Sequence, residues 1–254
     1  QAGDYAALIF QPLPLRHLFA NTATVTNFGV IQGISAIGLG VSATTATITI
    51  SGTISGSIFG VSGTTANVTN SGRIIATAAN GVGIGVVTAV VNSSGTISGG
   101  NTGVAATTAN VINSGAISGG DTGVGGITAR VFNSGTISGG NVGVGGNVLN
   151  VVNFGTVSGG SFGITGATAS LVNSGTVLGN VGFQVQTGVG NVTNAGAIIG
   201  TGGTALRFAS ASDTLTLLPG SRIFGAIDMG DGQDLVNVIT GRDISVVSQF
   251  EISA

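Results

Sequence analysis

The side chains able to do chemistry are few and far apart. Between residues 21 and 200 the ionisable ones are Arg73, Asp121 and Arg130, and the one histidine, His17, stands before them. Cleavage of acidic polysaccharides needs two or more carboxylates, or a base beside a cation. Asp121 and Arg130 could approach through a repeat, but one carboxylate with one arginine describes a local ion pair. His17 alone builds neither a triad nor a metal site. The expectation is that the chain is not an enzyme and has no catalytic residues.

The C-terminal end holds the remaining candidate. Six of the eight acidic residues lie from Asp213 onward, and Asp228, Asp231 and Asp234 alternate with Gly230 and Gly232. This turn shares part of its pattern with the Gly-Asp turns that bind calcium in parallel β-rolls, where stacked copies supply several converging oxygens. Only one copy is present. An ordinary acidic turn is the main expectation, calcium the minor one, and no other cofactor is expected.

The rest of the composition is equally restrictive. The 254 residues include 48 glycines but only 6 basic and 8 acidic side chains, where soluble domains carry roughly a quarter charged residues. Mean hydropathy is +0.59, yet Gly, Ser, Thr and Asn interrupt every apolar run well short of the ~18 residues of a spanning helix. The basic residues are all arginine and stand singly, which argues against a nucleic-acid partner. Without cysteine there are no disulfides or thiolate metal sites. A chain free of Lys and Cys and rich in Gly, Thr, Ser and Asn suits a bacterial exterior. It opens at Gln1 without a basic and apolar leader, so an export signal is expected to have been removed or to lie outside the sequence.

What positions these residues is a repeat. Gly29, Gly52, Gly72, Gly95, Gly115, Gly135, Gly155, Gly175 and Gly196 recur at intervals of 20 to 23 residues inside one phrase, clearest as Asn133-Ser134-Gly135-Thr136-Ile137-Ser138-Gly139-Gly140. Such a period signals stacked coils. Two residues after the glycine stands Ile or Val throughout, from Ile31 to Ile198. Two before the asparagine stand Val25, Val68, Val111, Val131, Val151, Leu171 and Val192, and a third apolar column holds Val61, Val104, Val124, Val144 and Ile164. Three inward columns and three polar or Gly corners predict an all-β, right-handed, single-stranded parallel β-helix with three short strands per coil of about 20 residues. Two coils are three residues longer, and Ala78-Ala79-Asn80-Gly81 is expected to bulge at a corner. The Gly column is read as backbone needing positive φ or close approach. Asn27, Asn70, Asn113, Asn133, Asn153, Asn173 and Asn194 are read as a structural ladder of side-chain amides.

Three regions follow. Residues 1–20 break the period and serve as a cap or a subunit-docking segment, with Tyr5, Leu8, Ile9 and Phe10 as contact candidates before Pro12 and Pro14. Residues 21–208 are regular coils, and 209–254 are irregular coils with the acidic end and a late contact candidate, Phe250.

The repeated phrase, the Ala-Thr-Thr-Ala-Asn at 106–110, and the tail at Leu217-Leu218-Pro219-Gly220-Ser221 and Asp228-Met229-Gly230-Asp231-Gly232 resemble autotransporter passenger domains and related giant repeat surface proteins of Gram-negative, especially alphaproteobacterial, bacteria. The likeness covers residues 21–240. It implies export, a rod at the cell surface or released from it, and adhesion or surface-layer roles, with an outer-membrane barrel as partner if a longer precursor exists. No barrel strands follow Ala254 here, so the resemblance leaves open an excised passenger or a chain working without an anchor.

The function classes separate on the outer positions. Thr53 and Ser55, Thr96 and Ser98, Thr136 and Ser138, and Thr156 and Ser158 make hydroxyl rows of the kind an ice or ordered-surface binder uses, but Arg73, Ile75, Ala116, Leu178 and Ile199 interrupt them. Ile112, Phe132, Val152 and Val172, outward on adjacent coils, make an apolar stripe suited to contact. The reading that accounts for most of the chain is an extracellular structural protein whose rods assemble head to tail with copies of themselves. The rival is a monomeric secreted adhesin binding a host protein or surface glycan, ahead of ice-binding or polysaccharide-active roles.

Overall fold

A computed structural model describes residues 5–10, 18–33, 38–239 and 252–253. The chain is an all-β parallel solenoid, and every strand pair among the described residues is parallel. Val104 lies beside Val124 and Val124 beside Val144, so one coil lifts the chain by one strand every 20 residues in the regular region.

A coil contains a long strand such as Thr102–Asn113 and a short one such as Ala116–Gly119. The long strand turns a corner at Thr107 and Thr108, both exposed, and so supplies two faces. Beyond the corner burial alternates: Ala109, Val111 and Asn113 point in, while Asn110 and Ile112 point out. The three inward columns read from the sequence are buried along the stack, as Val111, Ile117 and Val104 show at 0% exposure. They extend through positions that depart from the phrase, such as Ile48, Val91 and Leu215.

A fourth inward column was not read from the sequence. Ala23, Ala46, Ala66, Ala89, Ala109, Ala129, Leu149 and Ala169 are all buried in register. Alanine carries little hydropathic signal, which is why the column was invisible. Leu149 is its one large member, and a Cβ at Gly146 or Gly166 would press on its side chain. The two glycines make room for the larger residue.

The Gly column is explained by close approach. None of its members has positive φ, but a Cβ on Gly115 would strike the carbonyl oxygen of Gly95, and one on Gly135 that of Gly115. The same corner places Ala116 N–H on Gly95 O at 2.9 Å. Side chains are therefore excluded where the backbone of one coil presses on the next.

The longer coil at 72–95 accommodates its extra residues as a turn around Ala78–Asn80, closed by Gly81 N–H on Ala78 O at 2.7 Å. In the first long coil Gln32 pairs with Ser55 and Leu39 with Phe59, so its three extra residues fall between Gln32 and Leu39. At the N-terminal end Tyr5–Phe10 pairs with Thr22–Asn27, Leu8 opposite Val25, and adds a strand to the stack. At the other end Leu235–Val238 pairs with Thr214–Leu217, while Arg222–Asp228 pairs with Ala197–Arg207 through two register shifts. Pro12, Pro14, His17 and Phe250 lie outside the described residues.

Candidate functional site

The asparagines occupy the corner between the second and third faces, and they are fully buried. Asn113 Nδ2 donates to Asn133 Oδ1 at 2.8 Å, Asn133 to Asn153 at 2.8 Å, Asn153 to Asn173 at 2.8 Å and Asn173 to Asn194 at 2.7 Å. Asn194 continues the line to Ser221 Oγ at 3.0 Å. From Asn113 to Asn173 each amide also donates to carbonyls of its own corner and of the next coil, as Asn133 does to Gly135 O and Thr156 O. An amide suits this place because it donates and accepts at once, so identical residues can stack indefinitely without charge.

The line is interrupted where the sequence substitutes it. Ile50 stands between Asn27 and Asn70, and Ser93 between Asn70 and Asn113. Ile50 has no side-chain donor and the Ser93 hydroxyl is directed to Gly95 O at 3.4 Å, so Asn70 Oδ1 and Asn113 Oδ1 are buried without partners.

The acidic end is built differently. Gly190, Asp213 and Asp234 succeed one another in the column that holds alanine lower in the stack. Asp213 Oδ1 accepts Gly190 N–H at 2.6 Å, and Asp234 Oδ1 accepts Asp213 N–H at 2.8 Å. Asp213 is 1% exposed, and its Oδ2 has no partner. Burial pushes its carboxyl above the usual carboxylate range; the Gly190 N–H opposes that shift and the neighbouring Asp234 charge reinforces it. The sequence did carry a signal, since Asp213 and Asp234 each stand just before a strand, 21 residues apart.

The structure does not gather the calcium candidates. Asp234 is engaged with Asp213, Asp228 Oδ1 accepts Gly230 N–H at 3.1 Å, and Asp228 Oδ2 faces Arg207 Nε at 3.9 Å. No three His, Cys, Asp or Glu side chains converge among the described residues. Nor do Asp121 and Arg130 form an ion pair: Asp121 Oδ2 accepts the Thr122 hydroxyl at 2.9 Å, and Arg130 projects from an outward position.

The outer face at 109–113 contains the apolar stripe. Ile112, Phe132, Val152 and Val172 are adjacent in register, Ile112, Phe132 and Val172 are exposed, and Val152 is half-buried. Phe154, exposed at the corner, packs its ring 5.4 Å from that of Phe132. On either side the same outward column is polar: Thr49, Thr69 and Asn92 towards the N-terminal end, Thr193, Thr216 and Asn237 towards the C-terminal end. The hydroxyl rows singled out in the sequence lie on the 116–119 face and are mostly half-buried; more exposed threonines are Thr47 and Thr49 on the 109–113 face and Thr45 at the corner before it. The face at 102–106 bears a shallow apolar groove of about 510 Å³ floored by Gly63, Gly85, Ala105 and Gly125 and rimmed by Phe59, Val87 and Ile127.

The chain matches no protein-family model, no curated protein and no solved structure. The likeness to autotransporter passengers therefore rests on its repeated phrase and tail, while the β-solenoid itself stands on the strand register.

Proposed function

We propose that this protein is a non-enzymatic structural rod, exported to the outside of a Gram-negative cell, whose copies join end to end into a surface filament or matrix. The observation that carries the reading is the last coil. Leu235–Val238 has a partner on one side only among the described residues, and Leu235, Val238 and Ile239 are 54%, 51% and 51% exposed. Edge strands are ordinarily guarded by Lys, Pro or a covering element, and residues 222–239 contain neither Lys nor Pro. At the opposite end Tyr5–Phe10 is a strand of the same parallel stack. A joint between unlike ends is heterologous and open, so it propagates. Sparse charge along the coils removes the usual electrostatic obstacle to association.

The second reading, a monomeric adhesin, is favoured by one feature, the apolar groove beside Phe59, which offers a lateral seat for a glycan or host protein. Negative-stain microscopy of concentrated, detergent-free protein separates the two. Filaments support end-to-end assembly; dispersed single rods about 50 Å long contradict it and favour the adhesin.

A further inference from the structure

We infer that two rods also pair side by side, antiparallel, through the 109–113 face, with a second copy of this chain as the occupant. Of the two outward columns on that face, the one through Ile112 is chemically symmetric about the boundary between the coils of Phe132 and Val152. Two sheets can face one another through a two-fold axis lying in the interface. If that axis runs along the strands, the rods are antiparallel, and coils equidistant from the boundary meet. Phe132 then meets Val152 of the other copy, and Ile112 meets Val172. Beyond this apolar centre Asn92 meets Thr193, Thr69 meets Thr216 and Thr49 meets Asn237, so polar groups oppose polar groups capable of hydrogen bonding.

Area decides that the wings belong to the contact. Four apolar coils at about 4.8 Å spacing and about five residues of strand width offer only roughly 300 Å² per copy. A stable interface buries about 800 Å² per partner. The ten coils paired by the symmetry span about 48 Å and supply roughly that area. The register on this face is unbroken from the coil of Thr26 to that of Asn237, whereas the shifts in the stack fall on other segments.

The antiparallel orientation also accommodates the nearby charge. Arg130 is exposed on the neighbouring outward column, beside Asn150. The antiparallel arrangement sets Arg130 against Asn150 of the other copy, whose side-chain carbonyl can accept from the guanidinium.

The side contact does not depend on end-to-end joining, and one experiment reads both. The chain has no cysteine, so Asn92→Cys and Thr193→Cys give single reactive thiols at exposed and half-buried surface positions. Facing sheets lie about 10 Å apart, a gap for a bismaleimide rather than a disulfide. The expected result is efficient cross-linking in an equimolar mixture of the two variants and little in either alone. Adding Phe132→Glu to both should reduce the cross-linked fraction at least tenfold while the unfolding temperature, measured on each variant, stays unchanged. Cross-linking of Asn92→Cys with itself would mean a parallel pair and overturn the inference, as would the absence of cross-links in the mixture. Microscopy of the same samples keeps the readings apart: filaments without mixed cross-links remove the pair and leave the end-to-end rod, and cross-linked pairs without filaments do the reverse.

Discussion

The middle coils and the C-terminal coils solve one problem with different chemistry. In both, polar side chains are buried near a corner and must find partners in the adjoining coil. From Asn133 to Asn194 the solution is an amide that gives a hydrogen bond to the next coil and receives one from the previous coil. At Asp213 and Asp234 it is a carboxylate that can only receive, so it takes a backbone N–H from the preceding coil and leaves Asp213 Oδ2 unpartnered. A ladder extends without limit only if its rung is neutral and two-sided. A one-sided, ionisable rung stands where the regular stack ends, and burial raises the Asp213 carboxyl there, so a pH response of that end is expected.

The largest effect should come from ignoring the inside–outside division that both regions share. Ile117 is fully buried, and Ile117→Asp places a charge there without a partner, at a cost of several kcal/mol; circular dichroism should show loss of the folded state at room temperature. Next comes the ladder. Asn133→Ala removes an amide that joins three coils, strands Asn153 Oδ1 and removes the acceptor of Asn113 Nδ2. A loss of about 2 to 4 kcal/mol is expected in chemical denaturation. An equal response at the exposed Ser134→Ala would show that the ladder contributes nothing beyond its surroundings.

Asp213→Asn sharpens the contrast between the regions. The carboxyl of Asp213 is raised in the folded state by burial, so the folded protein holds its proton to higher pH than the unfolded chain does. Its favourable contribution is complete below the ordinary carboxylate range of about 4. That contribution is lost as pH rises through the raised value. Thermal unfolding of the C-terminal coils should therefore move to lower temperature between acidic and neutral pH, and Asp213→Asn should flatten that slope while raising the neutral-pH midpoint. An unchanged slope would separate Asp213 from the pH response. Ser93→Asn is the constructive counterpart: it supplies a donor to the unpartnered Asn113 Oδ1 and should stabilise by about 1 kcal/mol. Thr136→Ala, on an exposed outer position, should change stability by no more than about 0.5 kcal/mol.

The same contrast governs what could be read in advance. The Ile, Val, Gly and Asn columns were legible because each repeats one distinctive residue at a fixed phase, and backbone stacking converts that phase directly into a position. The Ala109 column was not, since alanine is tolerated inside and outside alike. The Asp213 and Asp234 rungs were missed because Asp234 grouped with Asp228 and Asp231 as a calcium candidate and Asp213 stood only as the start of the acidic end, whereas the strands bring each to the backbone of the coil before it. The outer stripe was legible as alternation along single strands; its symmetry emerged only once the register placed Asn92 and Thr193 at equal distances from the apolar centre.

The central claim, that a sparsely charged stack whose terminal strand Leu235–Val238 is paired on one side only among the described residues builds a longer assembly, is tested most directly by electron microscopy across a concentration series without detergent. The account predicts filaments whose length grows with concentration and whose subunit repeat is close to the ~50 Å of one stack. Single rods of that length at every concentration would contradict it.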